Sequence, residues 1–87
     1  MAKITISKAL VMIHECWDFD DWTPAKRLEE LRRVLKNCSN HNVNLKTLAF
    51  AMKKEMEVDK DWTKEEVLML AGAFSFHNVS FQKPSFL

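Results

Sequence analysis

The stretch WTKEEVLMLAGAF, Trp62 to Phe74, decides the fold of this 87-residue chain. Thr63 and Glu66 have the spacing of a capping box, in which each side chain binds the other residue's backbone N–H at a helix start. Trp62 before the cap and Val67 after it are placed to form a hydrophobic staple. The residues that follow are apolar on almost every side, which predicts a central helix contacted by all the others.

Three earlier helix starts follow from the same capping chemistry. Ser7, Thr23 and Asn44 carry the side-chain oxygens that cap helices, and the proline after Thr23 fits a first helical position at no hydrogen-bond cost. With Ser7 as the cap, Ile6 and Val11 would form its staple. The predicted helices cover about residues 8–17, 24–37, 45–57 and 64–75, followed by an irregular C-terminal tail over 76–87.

We therefore predict an all-α, compact four-helix domain that takes in residues 1–87. The chain has one glycine and two prolines, the residue types that most often interrupt helices and strands. This low number favours long helices over many short strands. The segments KITI (3–6) and NVSF (78–81) could pair as a minor two-stranded ribbon joining the termini, although such a ribbon is marginal unless it is packed. In the fourth helix, Gly72 between two alanines would let a neighbouring helix approach closely.

Two tripeptides occur twice in the same order along the chain. DWT stands at 21–23 and 61–63, and HNV at 41–43 and 77–79. Asp-Trp-Thr is a typical helix start, and the residues between the two copies do not align. We therefore interpret the recurring tripeptides as the same helix-start pattern used twice, and not as an internal repeat.

Charge and composition argue against several classes of protein. A formal net charge of +1 is low for a dedicated nucleic-acid binder. The longest apolar run, Val67 to Phe74, is too short to cross a bilayer, and the first residues lack the apolar core of an export signal. The two cysteines do not make a disulfide framework, so we expect reduced thiols and a cytoplasmic location.

The segment WDFDDW, which precedes the second helix, holds three aromatic residues and three aspartates. Trp17 shares the core-facing side of the first helix, and Trp22 stands before the cap of the second. A structural corner between two helices explains most of the segment. Asp18, Phe19 and Asp20 are left as candidates for contact with a partner, because loops often carry function.

His14, Cys16, Cys38 and His41 are the residue types of a zinc site, but their spacing argues against one. Positions two apart point to opposite sides of a helix, so His14 and Cys16 do not converge. The same geometry weakens a Cys–His nucleophile, and the single glycine leaves no phosphate-binding loop. We therefore expect no enzyme activity, no metal and no cofactor.

Phe50 is the anomaly of the third helix. It points away from the apolar stripe, and its helical neighbours include Lys46, Lys53 and Lys54. Either the C-terminal tail covers this ring, which we slightly favour, or the ring is exposed as the centre of an aromatic and basic contact. The aromatic side chains of the tail, which include Phe81 and Phe86, need apolar surface on the helices to pack against.

Together these residues exceed what a domain of this size can bury, and surplus apolar surface usually marks an interface. We expect a small non-catalytic helical protein that docks on a larger protein and inhibits, adapts or regulates it. Small accessory proteins of bacteria and phages offer a fold-level analogy. The surplus could also serve a homodimer. The predicted contact residues are Asp18, Phe19, Asp20, Lys46, Phe50, Lys53, Lys54, Phe81 and Phe86.

The alternative is a nucleic-acid-binding regulator that uses a basic face of the second and third helices. Arg32 or Arg33 would join Lys46, Lys53 and Lys54 on that face. The fourth helix is too apolar to enter a groove of DNA. Binding to phosphates would weaken steeply with salt, whereas binding through apolar side chains would not.

Overall fold

The computed structural model describes residues 3–85 and contains four α-helices. These are α1 (Ile6–Glu15), α2 (Pro24–Asn40), α3 (Leu45–Val58) and α4 (Lys64–Phe76). An irregular tail follows α4 as far as residue 85. The all-α, four-helix prediction is confirmed.

Three of the four helix caps are the predicted ones. Thr23 accepts a hydrogen bond from the N–H of Lys26 at 3.1 Å, and Asn44 accepts from the N–H groups of Lys46 and Thr47, the second and third residues of α3. At the start of α4, Thr63 accepts from the N–H of Glu66 at 3.2 Å, while the Glu66 carboxylate accepts from the N–H of Thr63 at 2.8 Å. The capping box is confirmed, because local sequence is enough to specify it.

The predicted start of α1 is wrong by two residues. Thr5, not Ser7, is the cap, and its hydroxyl accepts from the N–H of Lys8 at 3.1 Å. Both hydroxyls can cap a helix, so packing decides between them. Starting at Thr5 places Ile4 against the core and buries Ala9 completely, whereas Val11, the expected staple, is 50% exposed.

The ends of α2 and α4 explain why HNV occurs twice. In each copy the asparagine has a left-handed backbone, with φ of 65° at Asn42 and 61° at Asn78. The following valine donates its N–H to the carbonyl five residues earlier, Val43 to Cys38 and Val79 to Phe74, each at 3.0 Å. This is the hydrogen bond of a Schellman cap. It extends α2 to Asn40, beyond the predicted end at 37.

The predicted ribbon between KITI and NVSF is wrong, since residues 3–85 contain no strand. Thr5 caps α1 and recruits Ile6 into the helix, and Asn78 belongs to the turn that ends α4. Ile4 and Phe81 each pack on the core by themselves. Burial against the helices stabilises these side chains more than a two-stranded ribbon would.

The central helix is α2, not α4 as predicted. α2 packs against each of the other three helices, and the main partner of α4 is α2. The outer face of α4 therefore leaves Leu68 and Phe76 exposed. Gly72 permits no unusually close contact, because a Cβ built there would lie 3.9 Å from Leu28 Cδ1, an ordinary distance. The fully buried large side chains include Ile13, Leu31, Leu35, Leu48, Met52, Met56, Val67, Leu70 and Phe74.

The tail lies along α3 and is tied to it. Glu57 accepts hydrogen bonds from the N–H and hydroxyl of Ser85, each at 2.6 Å. On the other side of α3, Glu55 pairs with His14 of α1. Because residues two apart point to opposite sides of a helix, α1 and the tail flank α3. Phe86 lies outside the described residues.

Candidate functional site

A groove of about 560 Å³ separates α3 from the tail. We call it the α3–tail groove. α3 forms one wall and the segment after α4 forms the other. The lining residues are Lys46, Ala49, Phe50 and Lys53 from α3, and Asn78, Ser80 and Gln82 from the tail.

Phe50 stands on the α3 wall of this groove with 56% of its surface exposed. The buried face of α3 carries Leu48, Met52 and Met56, and the helical repeat turns Phe50 away from it. The expectation that the tail covers Phe50 is wrong. Phe81 instead stacks on Phe74 inside the body, with ring centroids 5.4 Å apart and planes 13° from parallel, so the tail aromatic is used elsewhere.

Lysines make the groove basic. Lys46 and Lys53 line it, and the Nζ atom of Lys54 lies 4.9 Å from the centroid of the Phe50 ring. Within residues 3–85 none of these lysines forms an ion pair. A lysine over a ring face interacts with the ring's π electrons, so Lys54 accompanies Phe50 without covering it.

Glu57 lies one turn beyond Lys53 on α3, and its carboxylate is already engaged by Ser85. Hydrogen bonds from Ser85 hold the pKa of Glu57 below its usual range, and the positive charges of Lys53 and Lys60 lower it further. Glu57 is therefore ionised at neutral pH and fixes the tail to α3. This contact holds the two walls of the groove together.

The corner between α1 and α2 is built from the WDFDDW segment. The rings of Phe19 and Trp22 stack with centroids 4.6 Å apart, and Trp17 meets Trp62 edge to face at 5.3 Å. Arg27 of α2 donates to the carbonyl of Phe19 at 2.9 Å and to that of Cys16 at 3.0 Å. The Cys16 carbonyl is one that the end of α1 leaves without an intrahelical partner. The Phe19 carbonyl also accepts the N–H of Trp22, at 3.3 Å, so Arg27 strengthens the turn that precedes α2.

The corner and the α3–tail groove are separate sites. Asp18 and Asp20 are exposed and make no hydrogen bond or ion pair with another described side chain. Phe19 is 50% exposed and lines a smaller pocket, with residues of α1 and α2, but not the groove. The structure thus brings together Lys46, Phe50, Lys53 and Lys54 of the predicted contact residues and leaves Asp18, Phe19 and Asp20 apart.

The arginines predicted to extend the basic surface are engaged elsewhere. Arg33 donates to the carboxylate of Glu30 at 2.7 and 2.9 Å. The Arg32 guanidinium lies over the ring of Phe76, 4.6 Å from its centroid. Neither arginine lines the α3–tail groove.

The cysteines and histidines are in structural positions. Burial, followed by the nearby charge of Glu30, raises the pKa of the Cys16 thiol to about 11, and burial also raises the pKa of Cys38. A thiol in that state is a poor nucleophile at neutral pH. His14 pairs with Glu55, while His41 bonds a backbone carbonyl. Among residues 3–85, no group of three or more His, Cys, Asp or Glu is arranged to hold a metal ion.

The tail wall of the groove was missed from the sequence. Val79 is buried and Phe81 is half-buried, whereas Ser80 and Gln82 between and after them are exposed. This alternation, with a period of two, is the pattern of a segment laid flat on an apolar surface. It was a readable signal that the tail places polar side chains outward.

In the described part of the chain, no helix has the length and apolarity needed to cross a bilayer. No family model, no curated protein and no solved structure matches this chain. Function is therefore argued from the geometry of the groove.

Proposed function

We propose that this chain is a small non-catalytic helical protein that docks on a larger protein and regulates or inhibits it. The α3–tail groove would receive a segment of that partner that carries acidic residues around an apolar anchor. The observation that carries the proposal is the exposure of Phe50, 56%, in a groove bordered by lysines.

Phe50 supplies the apolar part of the contact. Completing the burial of a half-exposed phenylalanine stabilises a complex by roughly 1–2 kcal/mol. Aromatic residues near the centre of an interface are enriched among those that dominate binding energy. The groove beside the ring gives an apolar side chain of the partner a place to insert.

The lysines supply electrostatic selection. Lys46, Lys53 and Lys54 surround Phe50, and the nearby carboxylate of Glu57 is occupied by Ser85. An acidic partner would be attracted to this surface, while a basic one would be repelled. Complementary charge acts mainly on specificity and on the rate of association.

The tail wall offers polar groups to a peptide. The side chains of Asn78, Ser80 and Gln82 face the groove. The backbone N–H groups of residues 80–83 donate to no backbone carbonyl in the described part of the chain. An extended peptide lying along this wall could satisfy such groups, as in other peptide-binding grooves.

These observations favour a protein over a nucleic acid. Arg32 and Arg33 do not extend the lysine patch, and the net charge of the chain is only +1. A site with an exposed aromatic ring and few cations depends less on released counterions. A cytoplasmic location belongs to the proposal, because Cys16 and Cys38 are both free thiols. Asp18, Phe19 and Asp20 remain predicted contacts at a second, separate place.

The test is a nuclear magnetic resonance titration of the isotope-labelled chain with three probes: a short acidic peptide that carries one leucine or phenylalanine, a basic peptide of the same length, and a single-stranded oligonucleotide. We expect the acidic peptide alone to shift the amide signals of the groove residues. Phe50→Asp should weaken its binding at least about 30-fold, as expected for a dominant interface residue.

Phe19→Asp is the matched control, since it makes the same change at a phenylalanine of similar exposure. We expect it to bind the acidic peptide as the unmodified chain does. Circular dichroism of each variant verifies that it is folded. Equal loss of binding in both variants, or oligonucleotide binding that weakens steeply with salt, would contradict the proposal.

A further inference from the structure

The outer face of α4 carries an apolar stripe whose two large side chains stay about half exposed. Leu68 is 49% exposed and Phe76 is 62% exposed, with Gly72 midway between them. Residues four apart lie on one side of a helix, so the three form a single line, which we call the α4 stripe. None of its members lines the α3–tail groove.

Two residues of α2 widen this face. Leu28 Cδ1 would lie 3.9 Å from a Cβ atom built on Gly72, and the Arg32 guanidinium stands over the Phe76 ring at 4.6 Å. Leu28 and Arg32 are one turn apart on α2, as Gly72 and Phe76 are on α4. The stripe therefore has an apolar and a basic neighbour along its side.

Gly72 is not required by packing within the chain. Its backbone is helical, and a methyl group there would make only an ordinary contact. Glycine in a helix interior is less favourable than alanine. Gly72 places no side chain between Leu68 and Phe76, so the α4 backbone is accessible to a helix from outside at this point of the stripe.

Glu65 and Arg32 place opposite charges at the two ends of the stripe, and Lys64 and Lys83 also border Leu68. Glu65 is exposed in the first turn of α4, and Arg32 lies beside Phe76 at the other end. Within residues 3–85 neither forms an ion pair, and Arg32 Nε is buried without a hydrogen-bond partner. Glu65 and Arg32 are therefore complementary to each other when the face is turned end for end.

We propose that the α4 stripe binds the same stripe of a second copy, with the two helices antiparallel and crossing at Gly72. Leu68 of one copy then meets Phe76 of the other, and Glu65 of one meets Arg32 of the other. A two-fold axis makes each contact twice, as in isologous dimers. Because the α3–tail groove lies outside this face, such a dimer presents two grooves.

The test is sedimentation equilibrium of the full chain over a range of concentrations. The unmodified chain should be dimeric at high concentration. Glu65→Arg and Arg32→Glu should each weaken self-association at least about tenfold, because each places like charges together at both symmetric contacts. An equimolar mixture of the two variants should dimerise again, because the mixed pair restores opposite charges at both contacts.

Two further variants control the result. Phe76→Glu should abolish dimerisation, and Phe50→Asp should leave it unchanged, which separates this proposal from the role of the groove. Glu65 is exposed, so its variant tests the pairing even where the Arg32 variant does not fold. An unmodified chain that stays monomeric at high concentration would overturn the proposal, as would charge variants that dimerise equally well or a mixture that does not recover.

Discussion

Phe19 and Phe50 are exposed to nearly the same extent, 50% and 56%, but the chain holds them differently. The ring of Phe19 stacks on Trp22, and its carbonyl accepts a hydrogen bond from Arg27. The ring of Phe50 meets the ammonium of Lys54 and otherwise faces the groove. Exposure alone thus does not identify a docking residue, because one exposed ring serves the fold and the other has no evident structural role.

The charges around the two rings support the same distinction. The aspartates near Phe19 precede α2, where the partial positive charge of a helix N-terminus favours them. The lysines around Phe50 lie within α3 and make no ion pair in the described part of the chain. The fold accounts for the acidic cluster and leaves the basic one to be explained by a partner.

The largest expected effect is the loss of the clamp at the corner. Arg27→Ala should lower the free energy of unfolding by about 2 kcal/mol, because it removes charged hydrogen bonds from two carbonyl groups. Urea unfolding measures this change. Lys36→Ala, at an exposed position of the same helix that makes no described ion pair, should cost less than about 0.5 kcal/mol. If the two variants are equally stable, Arg27 does not hold the corner.

A smaller difference should separate the two phenylalanines themselves. Phe19→Ala should cost about 1 kcal/mol of stability, since it removes a stacked aromatic pair. Phe50→Ala should change stability by less than about 0.5 kcal/mol, as for an exposed side chain without such a partner. Thermal and urea unfolding of the two variants compare them directly. A larger cost at Phe50 would show that its ring supports the fold.

The smallest expected effect is the loss of the contact between Glu57 and Ser85 at low pH. The pKa of Glu57 is lowered in the folded state, mainly by Ser85, so its tie to the tail is complete above the ordinary glutamate range and is lost as pH falls below it. The corner is held by hydrogen bonds from the Arg27 guanidinium to backbone carbonyl groups, in which no carboxylate takes part. The amide signal of Ser85 should move in acid, while the indole signal of Trp22 should not.

Glu57→Gln is the control for this titration. The amide side chain has no charge to lose, so the Ser85 signal should no longer respond to pH in the acid range. A response that persists in this variant would mean that another group controls the tail.

Local chemistry made much of the fold predictable. The caps at Thr23, Asn44 and Thr63 depend on residues within one turn, so they could be read directly. The two copies of HNV are visible in the sequence, but their role as helix ends with a left-handed asparagine was not predicted from it. Asparagine tolerates a left-handed backbone. The valine that follows it is buried, so its position depends on contacts with the core that are not local in sequence.

Of the two walls of the candidate site, only the α3 wall was predictable from the sequence. Helical spacing alone places Phe50 among its lysines. The opposite wall comes from the tail, and its course depends on where Phe81 stacks and on what Ser85 binds. Those contacts join residues far apart in the chain, and no local pattern specifies them.

Capping and periodicity act within a few residues, so the local pattern of the chain specifies that four helices form, where three of them begin, and that Phe50 points away from the apolar stripe of α3. Long-range packing sets the rest: α1 begins after Thr5, α2 is the central helix, and Phe50 is left uncovered. Those outcomes depend on which apolar surfaces meet. Several arrangements satisfy the same local pattern, and the one that buries the most apolar area without strain prevails.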